Sequence, residues 1–362
     1  MNLSETHLAK LRAFGYTEPE ARFLYIAATH SGYFTVRQFL KFANAKSGKR
    51  SACFVEKLTA LGHASAQRYT RKSLVYHIHS RRLFAAIGKD YLRHRREHEL
   101  DHIKAQLLAL DFILAHPEND YFETAQKKRQ YFIETLRLDS ALFTSEDASR
   151  KHITFSDGFP VFLDGQSPEL PPVVTFTYVE SGHWNLDPYV AHLRRSRPLF
   201  QHLPSFQFIY ISTSTRLQTE ARELFSLLIK GEGLPDLLRY FDVRTKWNRK
   251  QYGQVTDADL IFRNEAKKRF TGPRFETLYR LWNRNQLPGD LARQETTPLP
   301  ASERIRFQAV TVPGHESVFG NSAKRWGDDW QVRAFSERFS AQTSPTPKSK
   351  LFKQQQIRQG GT

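Results

Sequence analysis

Apolar positions in the first ninety residues recur at helical spacing in short runs and then switch to strict alternation. Ser4 stands where a helix through Phe14 would begin, and Gly15 where it would stop. Thr17-Glu18-Pro19-Glu20 is a capping-box pattern with proline inside the first turn. It opens a helix whose Phe23, Leu24, Ile26 and Ala27 form one apolar stripe ending near Gly32. Thr35 caps a short helix with Val36, Phe39 and Leu40 inward, and after a turn at Ser47-Gly48 a third helix runs from Lys49 to Leu61. At 100° per residue Phe54, Val55, Leu58 and Leu61 gather on one side of it. Lys49, Cys53, Glu56 and Lys57 lie opposite, with Arg50 on the flank. Residues 64–70 and 73–79 then alternate as two strands around the basic run Arg68-Tyr69-Thr70-Arg71-Lys72, and Ser80 caps a return helix through Ile87.

Further along, residues 90–115 read as one helix, charged in its first half and apolar from Leu100 to Leu114, ended by Pro117. A helix from Tyr121 to Leu136 precedes strands at 152–156, 159–163 and 173–180. A helix from Pro188 to His202, a strand at Phe206–Ser212 and a helix from Arg216 to Lys230 follow. Three strands entering a helical crossover predict a mixed sheet with helices on both faces. From 234 to 285 the chain is helical, basic and aromatic: Trp247, Arg249, Lys250, Tyr252, Lys267, Lys268, Arg269 and Trp282. Beyond 290 it is rich in Pro, Ser, Thr, Gln and Arg without sustained periodicity, which predicts a disordered basic tail. The expected domains are 1–88, a helical linker at 89–119, an α/β domain at 120–232, a basic helical extension at 233–289 and the tail at 290–362.

Charge adds a partner to this outline. The 362 residues carry 54 Lys plus Arg against 37 Asp plus Glu, a formal net charge of +17, and such an excess favours phosphate-bearing partners through counterion release. A single cysteine, Cys53, excludes an internal disulfide framework and a multi-cysteine zinc site. The start Met1-Asn2-Leu3-Ser4-Glu5 has no basic region followed by an apolar run, and no stretch approaches the roughly 18 apolar residues of a membrane span. A cytoplasmic protein with no membrane partner is expected.

Three candidate chemistries follow. The helix–turn–helix and hairpin order is that of a winged helix, an α+β module that puts one helix in the DNA major groove and a basic hairpin along the backbone. Its candidate DNA-binding residues are Lys49, Arg50, Lys57, Arg68, Arg71 and Lys72. Glu56 on the same face repels phosphate but can accept from a cytosine amino group. The second candidate, His98-Glu99-Leu100-Asp101-His102, matches the zinc-protease spacing H-E-x-x-H. Arg95, Arg96 and Glu97 precede it and Asp101 sits inside it, which marks a solvated charge run rather than a metal helix in a core. The third lies in the second domain, where Asp157 precedes one strand and Glu180 ends the next, two carboxylates able to hold Mg²⁺. The element order around them resembles the restriction-endonuclease-like core, and that resemblance implies a lysine where Gly182 stands, with His183 and His192 as substitutes, so Asp157 and Glu180 are read as vestigial. No P-loop, dinucleotide fingerprint or Gly-x-Ser-x-Gly elbow is present, and neither cofactor nor metal is expected.

The second domain's helix–three strands–helix–strand order resembles the restriction-endonuclease-like α/β core. Together with Thr17–Ile87, Tyr121-Phe122-Glu123-Thr124, Ser156-Asp157-Gly158 and Tyr178-Val179-Glu180, it makes residues 15–230 resemble the replication-relaxation family of plasmid and mobile-element proteins. That resemblance implies an accessory role in replication, relaxation or mobilisation. The partners it implies are double-stranded DNA and either other mobile-element proteins or a second copy of the chain. The family's acidic residue after the strand-end Glu is replaced here by Ser181-Gly182. Two other readings are a metal-dependent nuclease using Asp157 and Glu180, and a transcriptional regulator whose second domain senses a ligand or dimerises.

Overall fold

The computed structural model describes residues 1, 3–46, 48–70, 73–143, 159–164, 173–182, 185–288, 291 and 304–319. It is a mixed α/β structure with one sheet of three strands and one of five. The N-terminal region runs α1 (Glu5–Ala13), α2 (Glu18–His30), β1 (Tyr33–Phe34), α3 (Val36–Phe42), α4 (Lys49–Ala60), β2 (Ala64–Thr70), β3 (Ser73–Ile78) and α5 (Arg81–Ala86). Its local signals act as the sequence predicts. Thr17 N–H donates to Glu20 Oε2 at 2.8 Å, and Thr35 N–H donates to Gln38 Oε1 at 2.9 Å. The helices close on an aromatic core in which Phe39 stacks on Phe54 at 4.1 Å and Phe23 meets Phe34 edge-on at 5.2 Å. Tyr76 of β3 stacks on Phe34 at 5.3 Å, seating the sheet, ordered β1-β3-β2, on that core.

The next helix, α6 (Leu100–Ala115), is the surprise of the layout. It begins ten residues later than its pattern predicts, because residues 93–95 form a 3₁₀ turn that buries His94. His94 packs against Gly32, where a Cβ would come within 2.5 Å of the His94 carbonyl oxygen and where φ is +76°. Nor is α6 a linker: Leu107 to Ile113 are all buried. One side of it meets the N-terminal core and another meets Phe162, Val179, Ile209 and Ile211 of the larger sheet, so the two regions share one hydrophobic cluster.

That sheet is built from β4 (Asp120–Tyr121), β5 (Val161–Leu163), β6 (Val174–Val179), β7 (Phe206–Ser212) and β8 (Ile305–Thr311), in that order. Its first three strands pair antiparallel, and β6–β7–β8 pair parallel. Alternation sorts β7 between two cores: Phe206, Phe208 and Tyr210 face one cluster, Ile209 and Ile211 the cluster around α6. The first face is covered by α7 (Ala125–Gln130, continued by a π turn to Thr135), α8 (Asp187–Phe200), α9 (Gln218–Phe225), α10 (Leu234–Asn248), α11 (Asp257–Arg269) and α12 (Pro273–Asn283). Residues 120–121 are strand rather than the start of a helix, with Thr124 capping α7 by accepting from Lys127 N–H at 3.0 Å. The predicted strand at 152–156 lies outside the described residues.

The expected tail is corrected outright at 304–319. β8 pairs with β7 from Phe206↔Ile305 to Ser212↔Thr311, and the chain then crosses back to the N-terminal region. His315 Nε2 lies 2.7 Å from Asp111 Oδ2 of α6, Arg37 Nη2 of α3 lies 3.6 Å from the same oxygen, and α13 (Glu316–Phe319) places Phe319 edge-on to Tyr69 of β2 at 5.1 Å. A chain ending at residue 303 should therefore lose a sheet strand and this crossing. Its thermal unfolding midpoint should fall and its near-ultraviolet circular dichroism change.

A buried ion pair joins the two regions a second time. Lys89 Nζ donates to Glu123 Oε1 at 3.0 Å, Tyr25 Oη at 2.6 Å and Thr29 Oγ1 at 3.1 Å, while Tyr25 Oη donates to Glu123 at 2.6 Å. Burial lowers the Lys89 ammonium to about 8 against the pull of Glu123. The Glu123 carboxyl is pushed up by burial, but the Lys89 charge and the hydrogen bonds from Lys127, Tyr25 and Lys89 outweigh this and hold it at about 2. Glu123→Gln should cost about 3–5 kcal/mol in urea unfolding, because it strands a buried cation. Lys89→Met should cost less, since Lys127 still contacts the carboxylate.

Candidate nucleic-acid interface

α4 meets the core through Ser51, Phe54 and Leu58 and turns Lys49, Arg50, Ala52, Cys53, Glu56 and Thr59 to solvent. The helix period makes this division: residues three and four apart fall on the same face. Beside it, β2 is an edge strand whose Ser65 to Arg68 are all exposed. Lys49, Arg50 and Arg68 carry no ion pair among the described residues, so their charge is free to act on a partner. The register slips between Arg68↔Leu74 and Thr70↔Ser73, a bulge near the end of the hairpin. Arg71 and Lys72, which join the two strands, lie outside the described residues.

Lys57 departs from the expected set. Its Nζ turns back to donate to Glu20 Oε2 and to the Gly15 carbonyl, both at 2.8 Å. Glu20 is buried, so the lysine is held as its counter-charge and helps fasten α4 to α2. The helical wheel put Lys57 on the polar side correctly, but the wheel does not see an acid on another helix. The reverse omission is Lys46, exposed two residues ahead of Gly48 and without an ion pair among the described residues. Its signal was a cation at the mouth of the turn into α4.

The H-E-x-x-H segment does not form the helical face its spacing suggests. His98 precedes α6, and its ring stacks on that of His102 at 4.2 Å. Tyr33 Oη lies 3.4 Å from His98 Nδ1, and Gln106 Nε2 lies 3.1 Å from His102 Nε2. Among the described residues no three His, Cys, Asp or Glu side chains converge as a metal site would require.

In the larger sheet, Glu180 follows β6 and is buried, its Oε1 accepting from Gly182 N–H at 2.7 Å. Asp157 and His183 lie outside the described residues. His192, the other substitute for the missing lysine, lies on α8. Half-buried, it packs against Phe159 at 5.0 Å and Tyr178 at 5.4 Å, and burial, aided by Arg195, lowers it to about 4. No protein-family model, curated protein or solved structure matches this chain. No helix among the described residues is long and apolar enough to cross a membrane.

Burial also lowers the histidines beneath the hairpin: His77 and His98 shift downward, His102 falls to about 4 and His94 to about 3. The unfolded chain takes up protons near 6.5 while these folded-state rings stay neutral, so it binds more protons across that interval. Stability should be full above pH 6.5 and decline as pH falls toward 4. Melting midpoints between pH 7.5 and 4.5 should show this, with a shallower decline in His102→Gln.

Proposed function

We propose that this protein binds double-stranded DNA through a winged helix, with α4 entering the major groove and the β2–β3 hairpin lying along the backbone. The element order α2–β1–α3–α4–β2–β3 supports this reading, as does the strand order β1-β3-β2. The observation that carries it is the pairing of an exposed, cation-bearing face on α4 with an exposed edge strand carrying Arg68. Lys49, Arg50 and Arg68 are the proposed phosphate or base contacts, with Arg71 and Lys72 completing the set at the hairpin turn and Lys57 removed from it. Glu56, exposed on the same face, gives the helix a group that can discriminate cytosine.

In this reading the larger α/β region is a restriction-endonuclease-like platform for DNA or protein rather than a nuclease. The engagement of Glu180 with Gly182 N–H and the packing of His192 against Phe159 and Tyr178 both favour that choice. The wider role proposed is that of an accessory factor in replication, relaxation or mobilisation of a plasmid or mobile element, supported by the sequence motifs around Glu123 and Glu180.

Cys53 offers a direct test, because it is the sole cysteine and its thiol is exposed in the middle of the proposed groove-facing surface. Alkylation with N-ethylmaleimide should abolish duplex binding in a gel-shift assay, and prior addition of duplex should slow the alkylation. In parallel, Lys49→Ala, Arg50→Ala and Arg68→Ala should each lower the log–log salt slope of binding by about 0.9 for every phosphate left unneutralised. Unimpaired binding by the fully alkylated protein would exclude α4 from the groove.

A further inference from the structure

The helical layer on the far face of the sheet ends in a corner that the winged-helix reading leaves unused. α10 finishes at Asn248, and Arg249 and Lys250 extend beyond it, Lys250 at φ +60°. Lys250 N–H donates to the Trp247 carbonyl at 3.0 Å, and the turn brings Tyr252 back edge-on to the Trp247 ring at 5.1 Å. Arg263 of α11 lies over the same indole at 4.9 Å. Tyr252 itself remains 54% exposed.

Cations outnumber acids around this corner, although Asp257 at the start of α11 is exposed there as well. Arg263 and Lys267 lie a turn apart on one face of α11, whereas Glu265 points to the opposite side. The acid on the Arg263 face, Asp259, is already bonded to Arg239 at 2.8 Å. Arg249, Lys250 and Lys267 are exposed and without an ion pair among the described residues. Cations after a helix C-terminus complement its dipole, which accounts for Arg249 and Lys250 but not for an aromatic ring kept in solvent between them and α11.

We infer that this corner binds single-stranded nucleic acid. Tyr252 supplies a stacking face for an unpaired base, and Trp247, covered by Arg263, holds the phenol ring in place. Arg249, Lys250 and Lys267 meet the phosphates. A base inside a duplex has no free face to offer, so an exposed ring beside unpaired cations selects the unpaired strand. The site is independent of α4 and the hairpin.

The test is fluorescence anisotropy of labelled oligothymidylate and oligouridylate, about 15 nucleotides long, with the full chain at low salt. Tyr252→Ala should weaken binding about tenfold, within the range for loss of one base–aromatic stack. Tyr252→Phe should bind as the parent does, and Arg249→Glu with Lys250→Glu should weaken binding at low salt and flatten its salt dependence. Lys49→Ala with Arg68→Ala should leave it unchanged. Equal affinity for the two oligomers would support recognition of base and phosphate alone, and a preference for one would support the site while showing that it also reads the sugar or the thymine methyl. Absence of binding to either oligomer would overturn the inference. So would binding that survives both the Tyr252→Ala and the Arg249/Lys250 changes, or binding lost only with the α4 and hairpin changes. Should Tyr252→Ala lower the melting midpoint, the double charge reversal, wholly on exposed residues, decides the matter. Loss of duplex binding on Cys53 alkylation has no bearing on this result, so the two sites stand or fall separately.

Discussion

An apolar helix must be covered on every side, and α6 imposes that requirement on the whole molecule. Its run from Leu107 to Ile113 is buried throughout, too much apolar surface for one neighbouring layer to cover. The N-terminal helices take one side, the larger sheet takes another, and α3 reaches it through Gln38 Nε2, which donates to the Leu107 carbonyl at 2.8 Å. The relative placement of α4 and the five-stranded sheet is a consequence of that shared burial. The Lys89–Glu123 pair and the His315–Asp111 contact then fix the orientation of surfaces that hydrophobic packing alone leaves free to slide.

The same fold decides which charges remain for a partner. Lys57 and Arg37 answer buried carboxylates at Glu20 and Asp111, and the buried Lys89 answers the half-buried Glu123. Lys49, Arg50, Arg68, Arg249, Lys250 and Lys267 have no such obligation among the described residues. A net charge of +17 is thus divided into cations that hold the structure together and cations that face outward. The six named here fall on two surfaces, each with a distinctive neighbour: a helix of major-groove size on one, and a half-exposed tyrosine on the other.

Wherever structure follows from neighbours in sequence, the chain was legible. The capping box at Thr17, the cap at Thr35, the inward Phe54 and Leu58 of α4 and the presence of strands β2 and β3 appear as read, and β7 matches residue for residue at Phe206–Ser212. Legibility failed where a partner is distant. β8 is seven residues with a weak alternation, and its strand partner among the described residues is β7, about a hundred residues earlier; composition around it reads as tail. The start of α6 moved because burying His94 against Gly32 outweighs the helical pattern of residues 90–99. Lys57 was misassigned for the same reason at the scale of one side chain, since Glu20 lies on another helix. The unpaired cations of α4, by contrast, needed only local periodicity to be found.

The position of β8 in the chain also constrains how the molecule is made. Ribosomes deliver the N-terminal helices, α6 and strands β4 to β7 long before residues 305–311 emerge, and until then one edge of β7 stands open with its backbone donors and acceptors unpaired. The parallel β7–β8 ladder closes over a long sequence separation, a slow event by loop entropy. A nascent chain of this protein therefore carries an adhesive sheet edge while the roughly one hundred residues between β7 and β8 are made. Its yield in the cell should depend on chaperone capacity during that interval more than on the stability of the finished fold.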